Sequence, residues 1–194
     1  MAAPSYFIGS NLPARAPNAR TADRAQAFET LYRENHRRAY QYAYHLAKNA
    51  EDAQDLLQAA LVKAWSSFDS FDGRSGFAPW FSAILGNTFL DQRRARRRRV
   101  ELVSWTSDSA AENARTETRG VDSEALTIDG LQKQVVYAAI EKLPLKQRRV
   151  VILCDILDMT YRECAVAERI PVGTVRSRLN RARKQLAALI KSGK

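Results

Sequence analysis

The chain has 194 residues; 45% are hydrophobic, and 31 Lys or Arg against 21 Asp or Glu give a formal net charge of +10. That is enough apolar material for a core or two, and the positive excess points to a polyanionic partner, nucleic acid before an anionic membrane surface. No run approaches the roughly 20 apolar residues of a membrane span, and two cysteines without a CxxC, with two histidines, exclude a disulfide framework and leave no metal cluster.

Residues 1–22 hold Pro4, Pro13 and Pro17 without an apolar run, so a flexible arm is expected rather than a secretory signal. Residues 23–99 read as a helical domain. Helical spacing runs from about Arg24 to Lys48, with Phe28, Leu31, Tyr32, Tyr42 and Leu46 inward. It runs again from about Glu51 to Phe68. There Ala53, Leu56, Leu57, Ala60, Leu61, Ala64, Trp65 and Phe68 share one half of the wheel, and Asp52, Asp55, Gln58 and Ala59 the other. Asp69–Gly76 is a loop by its Ser, Asp and Gly content. Phe71 within it is expected to be an exposed aromatic, able to stack on an unpaired base. A third helix runs from about Phe77 into Arg93, Arg94 and Arg96–Arg99, six arginines in seven positions suited to gripping phosphate.

Residues 100–129 carry 2 basic and 7 acidic groups, with much Ser, Thr and Ala, and read as a linker. They separate two basic segments: residues 1–99 at net +6 and residues 130–194 at net +9.

Residues 130–194 form a second helical domain. Leu131–Leu143 is a helix stopped at Leu143-Pro144, and a second spans about Leu145–Leu157. Thr160-Tyr161-Arg162-Glu163 is a capping box opening a short helix to about Glu168. A tight connection through Pro171 leads into a helix from about Val172 to Ile190. Short helix, short turn and long basic helix is a helix-turn-helix signature. On the last helix Val172, Val175, Leu179, Ala182, Leu186, Leu189 and Ile190 share an apolar face, and Arg176, Ser177, Asn180, Arg181 and Lys184 the opposite one. Arginine to guanine and asparagine to adenine are the major-groove contacts this face offers. Cys154 and Cys164 sit among apolar neighbours and read as small buried hydrophobes. The fold class expected is all-α, two small helical domains joined by a flexible acidic linker.

Several motifs occur together in order. Glu51-Asp52-Ala53-Gln54-Asp55-Leu56-Leu57-Gln58 precedes Ala64-Trp65; Ser70-Phe71-Asp72-Gly73-Arg74-Ser75-Gly76-Phe77 precedes Trp80-Phe81, Asn87, Asp91 and Arg93-Arg94. Further on come Leu143-Pro144, Gln147-Arg148, Thr160-Tyr161-Arg162-Glu163 and Pro171-Val172-Gly173-Thr174-Val175-Arg176-Ser177-Arg178. Over residues 24–190 the chain resembles the extracytoplasmic-function (ECF) sigma factors of bacterial RNA polymerase, whose helical domains are called regions 2 and 4.

The resemblance implies core polymerase, promoter DNA and an anti-sigma factor as partners, a cytoplasmic location without membrane insertion, and no cofactor, metal or small-molecule substrate. It matches Asp52, Asp55 and Gln58 to polymerase-facing positions. Phe71, Gly73, Arg74 and Asn87, with Arg93 and Arg94, match the part that melts and reads the minus-10 element. Arg176, Ser177, Arg181 and Lys184, joined by Asn180 on the same face, match the minus-35 readers. Four positions depart from the family pattern: Ala59 where an acid is common, Asp72 where an arginine is frequent, Cys154 where a cation often stands, and Glu168 where an apolar residue is usual. The rival reading is an ordinary helix-turn-helix regulator that binds duplex operators without polymerase. No carboxylate–histidine set, nucleophile elbow or phosphate loop supports an enzyme.

Overall fold

The computed structural model describes residues 19–106 and 128–192. The described residues fold into helices joined by short loops, in the order α1 (Ala19–Ala47), α2 (Ala50–Ser67), α3 (Phe77–Thr106), α4 (Ile128–Glu141), α5 (Leu145–Val151), α6 (Tyr161–Glu168) and α7 (Val172–Ser192). The expected arm lies outside the described residues up to position 18, and the expected linker does so over 107–127. At both edges helix takes up residues read as unstructured: α1 begins at Ala19 and α3 continues to Thr106.

The boundaries follow from local chemistry. Lys48 turns the chain out of α1 with φ 74°. Asn49 then caps α2, its Oδ1 accepting from the Asp52 N–H at 2.7 Å. Glu51 and Asp52 place negative charge on the positive end of the α2 dipole. A 3-10 turn, Phe68–Ser70, ends α2, and Gly73 and Gly76 supply the positive φ values of the loop before α3. Pro144 starts α5, and the Arg148 guanidinium reaches back to the Glu141 and Leu143 carbonyls at the end of α4. α5 does not run on as an α-helix to Leu157. It widens into a π-helical turn over Ile152–Ile156, closed by the Leu157 N–H to Ile152 carbonyl bond at 2.9 Å.

The capping box forms as the sequence predicts. Thr160 Oγ1 accepts from the Glu163 N–H at 3.2 Å, and a Glu163 carboxylate oxygen accepts from the Thr160 N–H at 2.8 Å. Arg169, at φ 54°, ends α6 in the left-handed conformation and makes the tight turn into α7.

α1, α2 and α3 pack on one another through Tyr42, Ala43, Leu46, Ala53, Leu56, Ala60, Phe81 and Leu85, all buried. α5, α6 and α7 enclose Val150, Ile152, Leu153, Cys164, Val175, Leu179 and Ala182. The two helical units share one continuous apolar core, because α6 packs on α3 and the π turn on α1. Separation into two domains is legible in the sequence; this docking of one on the other is not.

Candidate nucleic-acid and polymerase interface

The polar face of α2 lies where the wheel puts it. Asp55 and Gln58 are exposed, and Asp52 is half-exposed. Asp52 is already engaged: Arg96 of α3 bonds its Oδ1 at 2.7 Å and Asn49 its Oδ2 at 3.0 Å. The Arg96 bond first, and Asn49 second, hold the Asp52 carboxyl below the usual carboxylate range. The arginine run is therefore not uniform. Arg96 folds onto α2, and Arg94 lies 3.8 Å from Asp91, whose other oxygen takes Lys63 at 3.1 Å. Arg93 and Arg94 are both exposed.

The loop before α3 corrects one expectation. Phe71 is half-buried rather than free. It stacks on Phe68 at 5.9 Å and meets Trp80 at 5.0 Å and Phe77 at 5.8 Å. The loop's exposed groups include Gly73, held at φ 73°, and Arg74, whose side chain is 88% exposed and lies 3.4 Å from Asp72 Oδ2. Asp72 shapes the turn by accepting from the Arg74 N–H at 3.0 Å. Beneath the loop Arg24 of α1 fixes the end of α2. Its guanidinium lies 4.2 Å above Trp65, donates to the Trp65 carbonyl at 2.7 Å and pairs with Asp69 at 2.7 Å. Asn87, one turn from Ile84 along α3, is half-buried.

α7 separates its faces cleanly. Val175, Leu179 and Ala182 are buried against α5 and α6, while Arg176, Asn180, Arg181 and Lys184 are exposed. Ser177 is half-buried and donates back to the Thr174 carbonyl at 3.1 Å. Arg183, exposed as well, is already paired. It grips Asp155 of the π turn with two bonds, 2.5 and 3.2 Å, and so fixes α7 against the first half of the motif. Cys154 and Cys164 are in side-chain contact, and that contact together with burial pushes the Cys164 thiol up.

Sequence reasoning missed a third feature, where the two helical units meet. Arg149 of α5 and Glu168 of α6 pair at 2.8 Å with side chains only 7% and 5% exposed. The Tyr42 hydroxyl of α1 accepts from Arg149 Nε at 3.2 Å and lies 3.4 Å from the same Glu168 oxygen. Burial lifts the Glu168 carboxyl above its usual value against the pull of Arg149 and Tyr42, and burial lifts the Tyr42 hydroxyl as well. Lys48 pairs with Glu141 at 3.2 Å, Arg38 donates to the Leu157 carbonyl, and His45 packs on Tyr137 at 5.1 Å. The one sequence sign of this seam is Glu168, a charge where the motif's apolar face runs.

No group of three or more His, Cys, Asp or Glu among the described residues is placed to hold a metal, and no described helix is long and apolar enough to cross a membrane.

Comparison with known proteins agrees with this geometry. The family profile of Sigma-70 region 2 matches residues 31–99, and that of Sigma-70, region 4 matches residues 133–186. The chain is 36% identical over 149 residues to the ECF RNA polymerase sigma factor EcfG of Rhodopseudomonas palustris (strain TIE-1), covering 77% of each chain. It is 32% identical over 168 residues to the ECF RNA polymerase sigma factor SigE of Mycolicibacterium smegmatis, covering 86% of this chain and 63% of that one. Among solved structures, it matches the sigma factor RpoE crystallised with the anti-sigma factor NepR from Bartonella quintana, at TM-score 0.63 and 27% identity over 89% of this chain and 99% of that one. It also matches CnrH in complex with the cytosolic domain of CnrY, at TM-score 0.61 and 25% identity over 89% and 96%. Two helical units, a basic recognition helix and matches across both regions make the chain a member of the ECF sigma factors of bacterial RNA polymerase.

Proposed function

We propose that this protein is an alternative sigma factor: it binds core RNA polymerase, directs initiation at a particular set of promoters and is held in check by an anti-sigma factor. The observation that carries the reading is the exposed basic face of α7, in the same chain as a region 2 unit with an exposed acidic stripe on α2. Asp52, Asp55 and Gln58 face polymerase. The Phe71–Arg74 loop, Asn87, Arg93 and Arg94 receive the melted minus-10 strand. Arg176, Ser177, Asn180, Arg181 and Lys184 read the minus-35 duplex. Extruding a base costs stacking and pairing, offset by stacking in a pocket and edge hydrogen bonds; the half-buried Phe71 and Trp80 give the loop a preformed aromatic wall. Control by an anti-sigma factor is supported by two solved relatives, the sigma factor RpoE in complex with the anti-sigma factor NepR and CnrH in complex with the cytosolic domain of CnrY. The protein acts by binding, with no chemistry of its own, in the cytoplasm where polymerase works.

Run-off transcription on genomic promoter fragments tests this. Core enzyme plus this chain is expected to give discrete new start sites that core alone does not give. A symmetric operator footprint by the free chain, with no new transcript, would instead favour a regulator that works without polymerase.

A further inference from the structure

α2 ends without a cation of its own: no basic residue stands in its last turn, although the C-terminus of a helix favours one. Arg24 of α1 supplies it across 41 positions of sequence. One planar guanidinium meets three groups there. Its Cζ lies 4.2 Å from the centre of the Trp65 ring, Nη2 donates to the Trp65 carbonyl at 2.7 Å, and Nε pairs with Asp69 at 2.7 Å. The same carbonyl takes the Phe68 N–H that caps α2. Phe28, one turn further along α1, meets Trp65 at 5.5 Å, Phe68 at 5.1 Å and Phe77 at 5.9 Å. Of residues 22–27, Arg24 alone is not exposed. Arg24 and Phe28 both precede position 31, where the region 2 profile match begins. We infer that Arg24 is a positioning residue for promoter opening: from α1 it locks the end of α2, so that the Phe71–Arg74 loop stands ready to take an unpaired base.

This inference rests on the assignment of that loop to the minus-10 strand. The path from Arg24 to the loop is short. Asp69 sits in the Phe68–Ser70 turn, two residues before Phe71. The Phe71 N–H closes that turn on the Phe68 carbonyl at 3.0 Å. Phe71 then stacks on Phe68 and reaches Trp80 of α3. A shift of the turn therefore moves Phe71 against the aromatic wall that α3 provides. An exposed ion pair stabilises little, and the Asp69 side chain is 80% exposed. What Arg24 contributes is direction. Its rigid fork meets ring, carbonyl and carboxylate in one orientation, which the single ammonium of lysine cannot copy. Extruding a base is costly, and a loop already held in place adds no ordering cost when the strand arrives. Arg24 thus acts on the opening step and not on the grip of upstream duplex, which falls to α7 through separate side chains.

Arg24→Ala removes all three contacts and leaves the buried core untouched, and alanine suits a helix. Asp69→Asn removes the ion pair and keeps the ring contact. Two measurements read the effect. One is hydrogen exchange at the amides of residues 68–76 in the free full chain. The other, in holoenzyme, separates the closed-complex binding constant from the opening rate at a promoter mapped by run-off transcription. Arg24→Ala is expected to speed exchange in that segment and to slow opening, each by about 10-fold, the scale of one lost charge-assisted hydrogen bond. Closed-complex binding and affinity for core polymerase are expected to stay as in wild type. Asp69→Asn and Arg24→Lys are expected to fall between Arg24→Ala and wild type in both measurements. Unchanged exchange in Arg24→Ala overturns the lock. Faster exchange with wild-type opening, or a loss confined to closed-complex binding, overturns the positioning role. Arg74→Ala and Asn87→Ala test the minus-10 assignment by themselves. If both open promoters as wild type does, that assignment fails and the role in opening falls with it, while exchange still judges whether Arg24 holds the loop.

Discussion

Thr160 shows how much one side chain can be read ahead of its structure. Its partner Glu163 is three positions away, so the capping box is a local pattern and the geometry matches it. Thr160→Ala is expected to cost about 1 kcal/mol of stability, the usual loss at such a cap. Thermal unfolding of the full chain measures it, and a variant indistinguishable from wild type would show that α6 is held by packing alone. Phe71 and Glu168 mark the opposite case. Phe71 belongs to no helical face, but Phe68 from the end of α2 and Phe77 and Trp80 from the start of α3 converge on it. Glu168 finds Tyr42 across 126 positions of sequence. Periodicity cannot carry contacts of that range, so the sequence marks Glu168 as out of place without naming what it meets.

Among elements, α7 was the most legible, because its two faces differ in chemistry as well as polarity and because the 3.6-residue period holds over its whole length. The exposed positions Arg176, Asn180 and Lys184 follow one another at intervals of four. Replacing Arg176 or Arg181 by alanine is expected to lose about 1–3 kcal/mol of discrimination at the minus-35 element, the range for a side chain that reads a base edge. Binding to matched and mismatched duplexes in holoenzyme separates the outcomes: an equal loss on every sequence means phosphate contact only. The π turn at Ile152–Ile156 was not legible. Nothing in Ile-Leu-Cys-Asp-Ile breaks an α pattern. Its wider ring brings Asp155 to Arg183 and the Leu157 carbonyl to Arg38, two long-range partners that no window of local sequence contains.

At the scale of the molecule, charge partition into two basic segments around an acidic stretch gives the number of helical units but says nothing of how they dock. Each helical unit has its own apolar residues, yet Tyr42 and Phe81 on one side and Ile152 and Leu153 on the other belong to one core. The docked seam joins residues 93 to 126 positions apart, Lys48 to Glu141 and Tyr42 to Glu168. Only the folded chain reveals it.

The Asp52–Arg96 pair extends this to the whole initiation cycle. On the proposed assignment, a polymerase that takes the Asp52 carboxylate takes it from Arg96, and the arginine so released sits in the run proposed to grip DNA phosphates. Docking on the enzyme and gripping the strand then draw on one shared charge. By linkage, whatever factor one event lends the other is returned in equal measure. Asp52→Asn is expected to weaken polymerase binding while making the free chain bind single-stranded DNA more tightly and with a steeper salt dependence, by about one further phosphate contact. Titrations at two or more salt concentrations would check it, and an unchanged slope would show that Arg96 stays on α2 throughout. On that assignment the pair would act as a relay, handing a positive charge from protein to nucleic acid at the moment the two subunits meet.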